Sequence, residues 1–562
     1  MTPYQPDVDA VGGSLFATAM VCTIPLLVVF VFLGLLKTKA HIAGLAGLAA
    51  AILVAVLAFG MPVNLSLLAA SQGAVYGLFP IMWIVVTAIW LYQLTVVSGR
   101  FEDLRISFNR VSSDPRIQGI IIAFCFGGLL EALAGFGAPV AITGIMLVSL
   151  GFSAMRAAAT VLLANTAPVA FGAIAIPIIT AGNLTGIDYQ EIGAVVGRQT
   201  PLLAAFVPLL LVLVVDGKRG IKQTWPAAVV AGLSFAIAQF ISSNYISVEL
   251  TDIIASLVAL IAVVVLLRFW QPQGGEDARG RLLEVARQEH AESPAGSGGG
   301  TLAVAEAVST EKLSAGRTLM AFLPYLVVIV VFGLAKLLPA LKTALGGTDV
   351  KIPWPGLNGE ILNITGTTST ATTYTLTWLS GAGTLLLISG IIVVAAYRIS
   401  PMVALREFGG TLVKLKFAIL TVASVLGLAY VMNMSGQTIT IGQWLAAGTG
   451  GFFAFLSPVL GWVGTAVTGS DTSANALFAT LQQSAAEQAG IDPTLLVAAN
   501  TSGGVVGKMI SPQNLTIAAT AVGLLGRESD IFRKVIKWSL GLLLCLCILV
   551  YLQSTVLSWM LG

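Results

Sequence analysis

LLANTAPVAFGAIAIPI, residues 162–178, and AANTSGGVVGKMISPQNL, residues 498–515, are two versions of one pattern. Ala164, Asn165, Thr166, Gly172 and Pro177 recur as Ala499, Asn500, Thr501, Gly507 and Pro512, every pair offset by 335. Both copies sit in apolar runs. An unpaired backbone group there costs several kcal/mol, so a helix-breaking polar segment survives only where it is buried in protein or lines a watery cavity. Paired Gly/Pro-interrupted segments in two halves of a chain point to a solute-binding site near mid-membrane.

Composition agrees with that setting. Of 562 residues, 57% are hydrophobic and 10% charged, against about 25% charged in soluble domains, so the expected class is an all-α polytopic membrane protein. A net charge of +3, scattered along the chain, gives no reason to expect a nucleic-acid partner. Cys22, Cys125, Cys545 and Cys547 lie in apolar runs, and His41 and His290 in loops. None has the spacing of a zinc or haem site, so no metal and no cofactor is expected. The acidic start MTPYQPDVDA lacks the basic flank of a cleavable signal, so the first apolar run is expected to be retained.

Runs near the roughly 20 residues that cross a bilayer give twelve spans. They lie at about 14–36, 42–60, 72–97, 157–181, 199–215, 225–243, 253–269, 318–341, 380–397, 417–433, 494–515 and 538–560. Regions 117–152 and 441–484 are each long enough for two helices around a Gly-rich centre, and read as helical hairpins. With the N-terminus outside, 24 of the 29 basic residues fall in cytoplasmic loops, as the positive-inside bias requires. The first hairpin then opens to the cytoplasm and the second to the outside, so the halves are inverted. Residues 1–215 form repeat one, with hairpin 117–152 and broken helix 157–181. Residues 318–562 form repeat two, with hairpin 441–484 and broken helix 494–515. Between them, 216–317 is a connector whose Gly/Ser-rich part, 271–316, is expected to be a flexible cytoplasmic loop, and 342–379 forms an irregular external cap.

Charged residues inside membrane segments cost roughly 2.5 to 3.5 kcal/mol at a helix centre, and few occur here. Glu131 lies at the first hairpin tip, Asp471 at the second, and Lys508 seven residues after Thr501. Lys508 stands where repeat one has Ala173, so the scaffold itself does not require a cation there. It suits a monocarboxylate; the alternative is an ion pair with Asp471 that fastens hairpin to helix. Glu131 and Asp471 are the candidate proton carriers, since burial favours a neutral carboxyl that ionises when the site opens to water. Asn165, Thr166, Asn500 and Thr501, with Gly135, Gly137 and Ser470 at the tips, supply amides, hydroxyls and exposed helix N-termini for a small anion. Arg198 is a further candidate anion contact, or a side chain that snorkels to the interface.

EALAGFGAPVAITG (131–144), LLANTAPVAFGAIAIPI, TGSDTSANALFATLQ (468–482) and AANTSGGVVGKMISPQNL together resemble the bacterial lactate permease family over nearly the whole chain. That resemblance implies proton-coupled symport of L-lactate, with D-lactate and glycolate as co-substrates, across the bacterial inner membrane, and no coupling ion other than the proton. It also implies likeness to a wider ion-transporter superfamily with inverted repeats and opposed hairpins. A sodium-coupled or dicarboxylate carrier is the alternative, and would require a second substrate-facing cation such as Arg198. An intramembrane enzyme is disfavoured, because no histidine, metal motif or nucleophile with a base lies in a span. The expected partners are a small monocarboxylate and the lipid bilayer, and assembly as a homo-oligomer stays open.

Overall fold

The computed structural model describes residues 3–561 apart from 37, 110, 134, 136, 292–313 and 365. Among the described residues, ten helices are long and apolar enough to cross a membrane, and four shorter apolar helices accompany them. Within Val207–Ile241 the chain breaks at Gly217 (φ 66°, ψ −157°), which separates two helices at the connection expected over 216–222.

The 335-residue offset extends well beyond the quoted motifs. Ala40–Leu57 is matched by Ala382–Ala396, Arg100–Asn109 by Gln437–Thr449, Ala138–Ser149 by Asp471–Ala489 and Ala154–Ala164 by Pro493–Gly507. The second hairpin is therefore shorter than 441–484. Its arms are Phe453–Thr468 and Asp471–Ala489, while residues 441–449 belong to the separate helix Gln437–Thr449, which stops at Gly450 with φ 54°.

The two breaks are not alike. In repeat one, residues 165–171 separate Ala154–Ala164 from Gly172–Thr185, and the second helix begins with a left-handed turn at Ala173, Ile174 and Ala175 (φ 45°, 59° and 57°). In repeat two, Pro493–Gly507 passes through a single 3-10 turn, Lys508–Ile510, into Pro512–Ala521. The cause is one residue: Pro168 corresponds to Gly503. Proline removes a helix donor and clashes with the preceding turn, whereas glycine lets the helix run on until Pro512.

The hairpins open on opposite faces. Ser153 caps the helix that follows the first hairpin and donates to Glu289 at 2.9 Å on one face; the chain then crosses the break and emerges at Thr185 on the other. At that second face Phe452, at the base of the second hairpin, packs on Tyr551, and nearby the Met560 carbonyl accepts from Arg198. Here too Tyr4 bridges to Ile361, joining the N-terminal stretch to a cap that contains the antiparallel strands Val350–Pro353 and Thr373–Leu376.

Residues 271–316 are not loose throughout. Gly275–Ala291 is a helix with Ala278 and Leu282 buried. Its Arg281 donates to Asp216 at 2.9 Å, and Asp216 also accepts from the buried Arg116 at the base of the first hairpin. With Glu289 held by Ser153, this helix straps both legs of that hairpin. Its charge-rich composition suggested a solvated linker; charged partners on neighbouring elements compensate for the scarce apolar surface. The rest of the expected loop, 292–313, lies outside the described residues.

Helices Phe453–Thr468 and Pro493–Gly507 touch backbone to backbone. A Cβ at Gly503 would run into the Pro458 carbonyl oxygen, and one at Gly461 into that of Asn500. Lipid supplies no hydrophobic drive between helices, so close small-residue contacts hold such pairs together. Gly503→Ala is expected to destabilise the protein by about 1–3 kcal/mol through overpacking, read as a lower Tm in detergent. Gly541→Ala, which meets nothing within 4 Å, should leave Tm unchanged or raise it; equal effects of the two would contradict this packing.

Candidate functional site

Lys508 stands at the end of Pro493–Gly507, just where the helix tightens. Its Nζ donates to Glu131 Oε1 at 2.5 Å, and the other carboxylate oxygen accepts from Asn165 Nδ2 at 2.9 Å. Glu131 also rests on Gly172, where a Cβ would lie 3.0 Å from its carboxylate. The first hairpin tip, the break of repeat one and the break of repeat two thus meet in one buried cluster, with Lys508 8% and Glu131 2% exposed. A buried charge without a partner is costly, so each member of this pair holds the other in place.

Lys508 does not pair with Asp471. Asp471 opens the second arm of its hairpin, accepts from Thr465 Oγ1 of the first arm at 3.4 Å, and lies against Gly504. Its second oxygen is buried without a partner, close enough to Lys508 to feel its charge. The hairpin's own turn aims Asp471 at its sister arm, which leaves Lys508 to the hairpin of the other repeat.

Asn500 and Thr501 form a second cluster around Asn475, a residue the sequence reading passed over. Asn475 Oδ1 accepts from Asn500 Nδ2 at 2.9 Å and from Thr501 Oγ1 at 3.0 Å, while its Nδ2 donates to the Pro177 carbonyl at 3.2 Å. Gln482 Nε2 donates to Asn500 Oδ1 at 3.3 Å. The second hairpin thereby pins both broken helices. The turn at Ala173–Ala175 needs such support, because left-handed backbone at residues other than glycine costs of order 1–3 kcal/mol each.

The remaining candidates divide. Gly135 and Gly137 have φ 45° and 86° and shape the first tip, with Gly137 pressed on Ile517 beyond the second break. Ser470 caps the Asp471 helix by accepting from Ser473 N. Thr166 is turned back on its own helix, donating to the Leu163 carbonyl at 2.6 Å. Arg198 is not part of the site: its Nε donates to Asn244 at 2.8 Å and its Nη1 to Met560 O at 2.7 Å. The sequence did carry a signal for Asn475 and Gln482, which lie four and eleven residues after Asp471 and so share its helix face.

A cavity of about 310 Å³ lies at the far ends of the two helices joined by Asn475 and Pro177. Asn183 and Gln483 line it from those helices, with Tyr76, Tyr430, Asn433 and Ser369 opposite. Its lining has no charged side chain. Below it, the cluster offers one cation to any carboxylate able to displace Glu131.

Comparison with known proteins gives a consistent answer. The family model described as L-lactate permease matches residues 18–557. The chain is 44% identical over 572 residues to an L-lactate permease of Bacillus subtilis, covering 98% of each chain. It is 43% identical over 558 residues to the glycolate permease GlcA of Escherichia coli, again covering 98% of each. It is also 42% identical over 569 residues to an L-lactate permease of Escherichia coli, covering 100% of each.

Removing one partner of a buried pair leaves an uncompensated charge and costs about 3–5 kcal/mol, whereas removing both costs far less. Lys508→Met should therefore lower Tm. Glu131→Gln combined with Lys508→Met should recover most of the loss. Additive losses in this double-mutant cycle would mean that the pair contributes nothing.

Proposed function

The chain belongs to the L-lactate permease family, and on that premise we propose that it is a proton-coupled symporter that brings L-lactate, and with it D-lactate and glycolate, into the cell. It is a multi-pass membrane transporter, and its relatives include proteins named L-lactate permease and glycolate permease. The observation that carries the reading is the buried Lys508–Glu131 pair at the meeting point of both breaks.

A substrate carboxylate that takes Lys508 deprives Glu131 of its counter-charge. An unpaired carboxylate in a dry interior is costly and takes a proton instead. One anion and one proton then enter together, and the loaded site carries no more net charge than the empty one. The substrate hydroxyl finds Asn165, whose amide already faces this cluster. Arg198, the candidate second cation that a dicarboxylate would call for, is bound elsewhere, to Asn244 and the Met560 carbonyl.

In proteoliposomes, labelled L-lactate uptake should rise as the outside is acidified and collapse with a protonophore. Unlabelled D-lactate and glycolate should compete. Uptake driven by sodium and indifferent to the proton gradient would overturn the reading. Lys508→Ala, in protein that still elutes as a single species, should lose lactate binding; unchanged affinity would make Lys508 a structural cation only.

A further inference from the structure

Behind Glu131 lies a second buried acid that the sequence reading did not single out. Asp252 sits in the first turn of Thr251–Phe269 and is wholly buried. Its Oδ1 accepts from Gln239 Nε2 at 3.0 Å, and the same amide nitrogen donates to the Ala167 carbonyl, inside the break of repeat one, at 3.2 Å. Three polar atoms here are buried without partners: Asp252 Oδ2, Gln239 Oε1 and Ser256 Oγ. Ser256 lies one turn along from Asp252 and presses on Gly128, where a Cβ would lie 2.6 Å from its hydroxyl. Gly128 is three residues before Glu131 on the same hairpin arm.

Buried polar groups are nearly always satisfied, so three orphans together call for an explanation. One proton accounts for two of them, Asp252 Oδ2 and Gln239 Oε1. On Asp252 Oδ2 it turns an acceptor into a donor suited to Gln239 Oε1, completing a pair between a neutral acid and an amide. We propose that Asp252 is a second proton-carrying residue, which holds the coupling proton beside Gln239 and passes it to Glu131 when substrate occupies Lys508.

The inference rests on the proton-coupled reading above. Before binding, Glu131 is ionised against Lys508 and Asp252 is neutral. When the substrate carboxylate takes Lys508, the proton leaves Asp252 Oδ2 for the Glu131 carboxylate, with the Ser256 hydroxyl lying between the two elements. Asp252 is then ionised and is reprotonated from water, so one anion and one proton have been taken up. The ionisable group whose charge acts on Asp252 is Glu131, and Glu249 lies three residues earlier in the chain. Glu249 is held by Tyr189 Oη at 2.9 Å and Ser247 Oγ at 2.8 Å, on the side where the chain passes from Thr185 to Tyr189.

Asp252→Asn keeps the shape of the neutral acid and both of its bonds to Gln239, but carries no proton. In proteoliposomes uptake of labelled L-lactate driven by a proton gradient should fall by about tenfold or more, within the usual range of a coupling free energy, and the uptake that remains should lose its stimulation by acid. Asp252→Glu should restore part of the acid stimulation. If Asp252→Asn shows the wild-type acid stimulation, the carboxyl is a permanently neutral structural group and the proposal fails, while the coupling reading stands. If wild-type uptake itself ignores the proton gradient, the coupling reading fails first. Gln239→Met offers a second route should Asp252→Asn not fold: it breaks the acid–amide pair and should shift the pH of half-maximal uptake, and an unmoved midpoint would overturn the proposal.

Discussion

A lysine ammonium deep in a membrane protein has to be answered by an anion, and here the answer comes from the opposite half of the chain. The bond between Lys508 and Glu131 links the second broken helix to the first hairpin, so neither repeat completes the site alone. For this bond to form, the first tip must turn tightly at Gly135 and Gly137, Gly172 must leave room for the carboxylate, and the helix of repeat two must tighten where Lys508 emerges. Much of the surrounding glycine usage serves that one meeting.

Much of this was legible in the sequence, for identifiable reasons. The offset of 335 exposed the duplication, and basic-residue bias gave the opposed hairpins, because both signals are written in residue type. Glu131, Asp471 and Lys508 stood out as charges in apolar surroundings. Pairing was harder to read. Asp471 and Glu131 are chemically similar, and only the fold decides which of them reaches Lys508. Asp252 was missed because it sits at the edge of an apolar run, where an acid reads as the end of a span; its burial depends on Gln239 and Ser256, which hydropathy cannot relate to it. Gly275–Ala291 was read as linker for the converse reason, since its anchors, Asp216 and Ser153, lie far away in sequence.

The charge balance of the interior also follows from the unequal copies. Glu131, Asp252 and Asp471 are buried, and among the described residues one buried lysine, Lys508, faces that group. Three acids beside one base cannot all be ionised in a medium that penalises isolated charge. The surplus acids are therefore favoured in their neutral form. Under the proposed coupling, such an interior needs no dedicated ion cage, only carboxyls that compete for a single cation.

Pro168 facing Gly503 across the duplication has one more consequence. A carrier built from interchangeable halves would spend equal time facing each side of the membrane, because each half can adopt the shape of the other. This chain cannot make that exchange: a left-handed turn of Ala173, Ile174 and Ala175 has no counterpart in the continuous helix that ends at Gly507. In a carrier that alternates between two orientations, unequal halves of this kind give those orientations different free energies before any gradient is applied. Because the apparent affinity at either side scales with the fraction of molecules open to it, the empty carrier has a default posture, and the two aqueous phases meet it as unequal receptors.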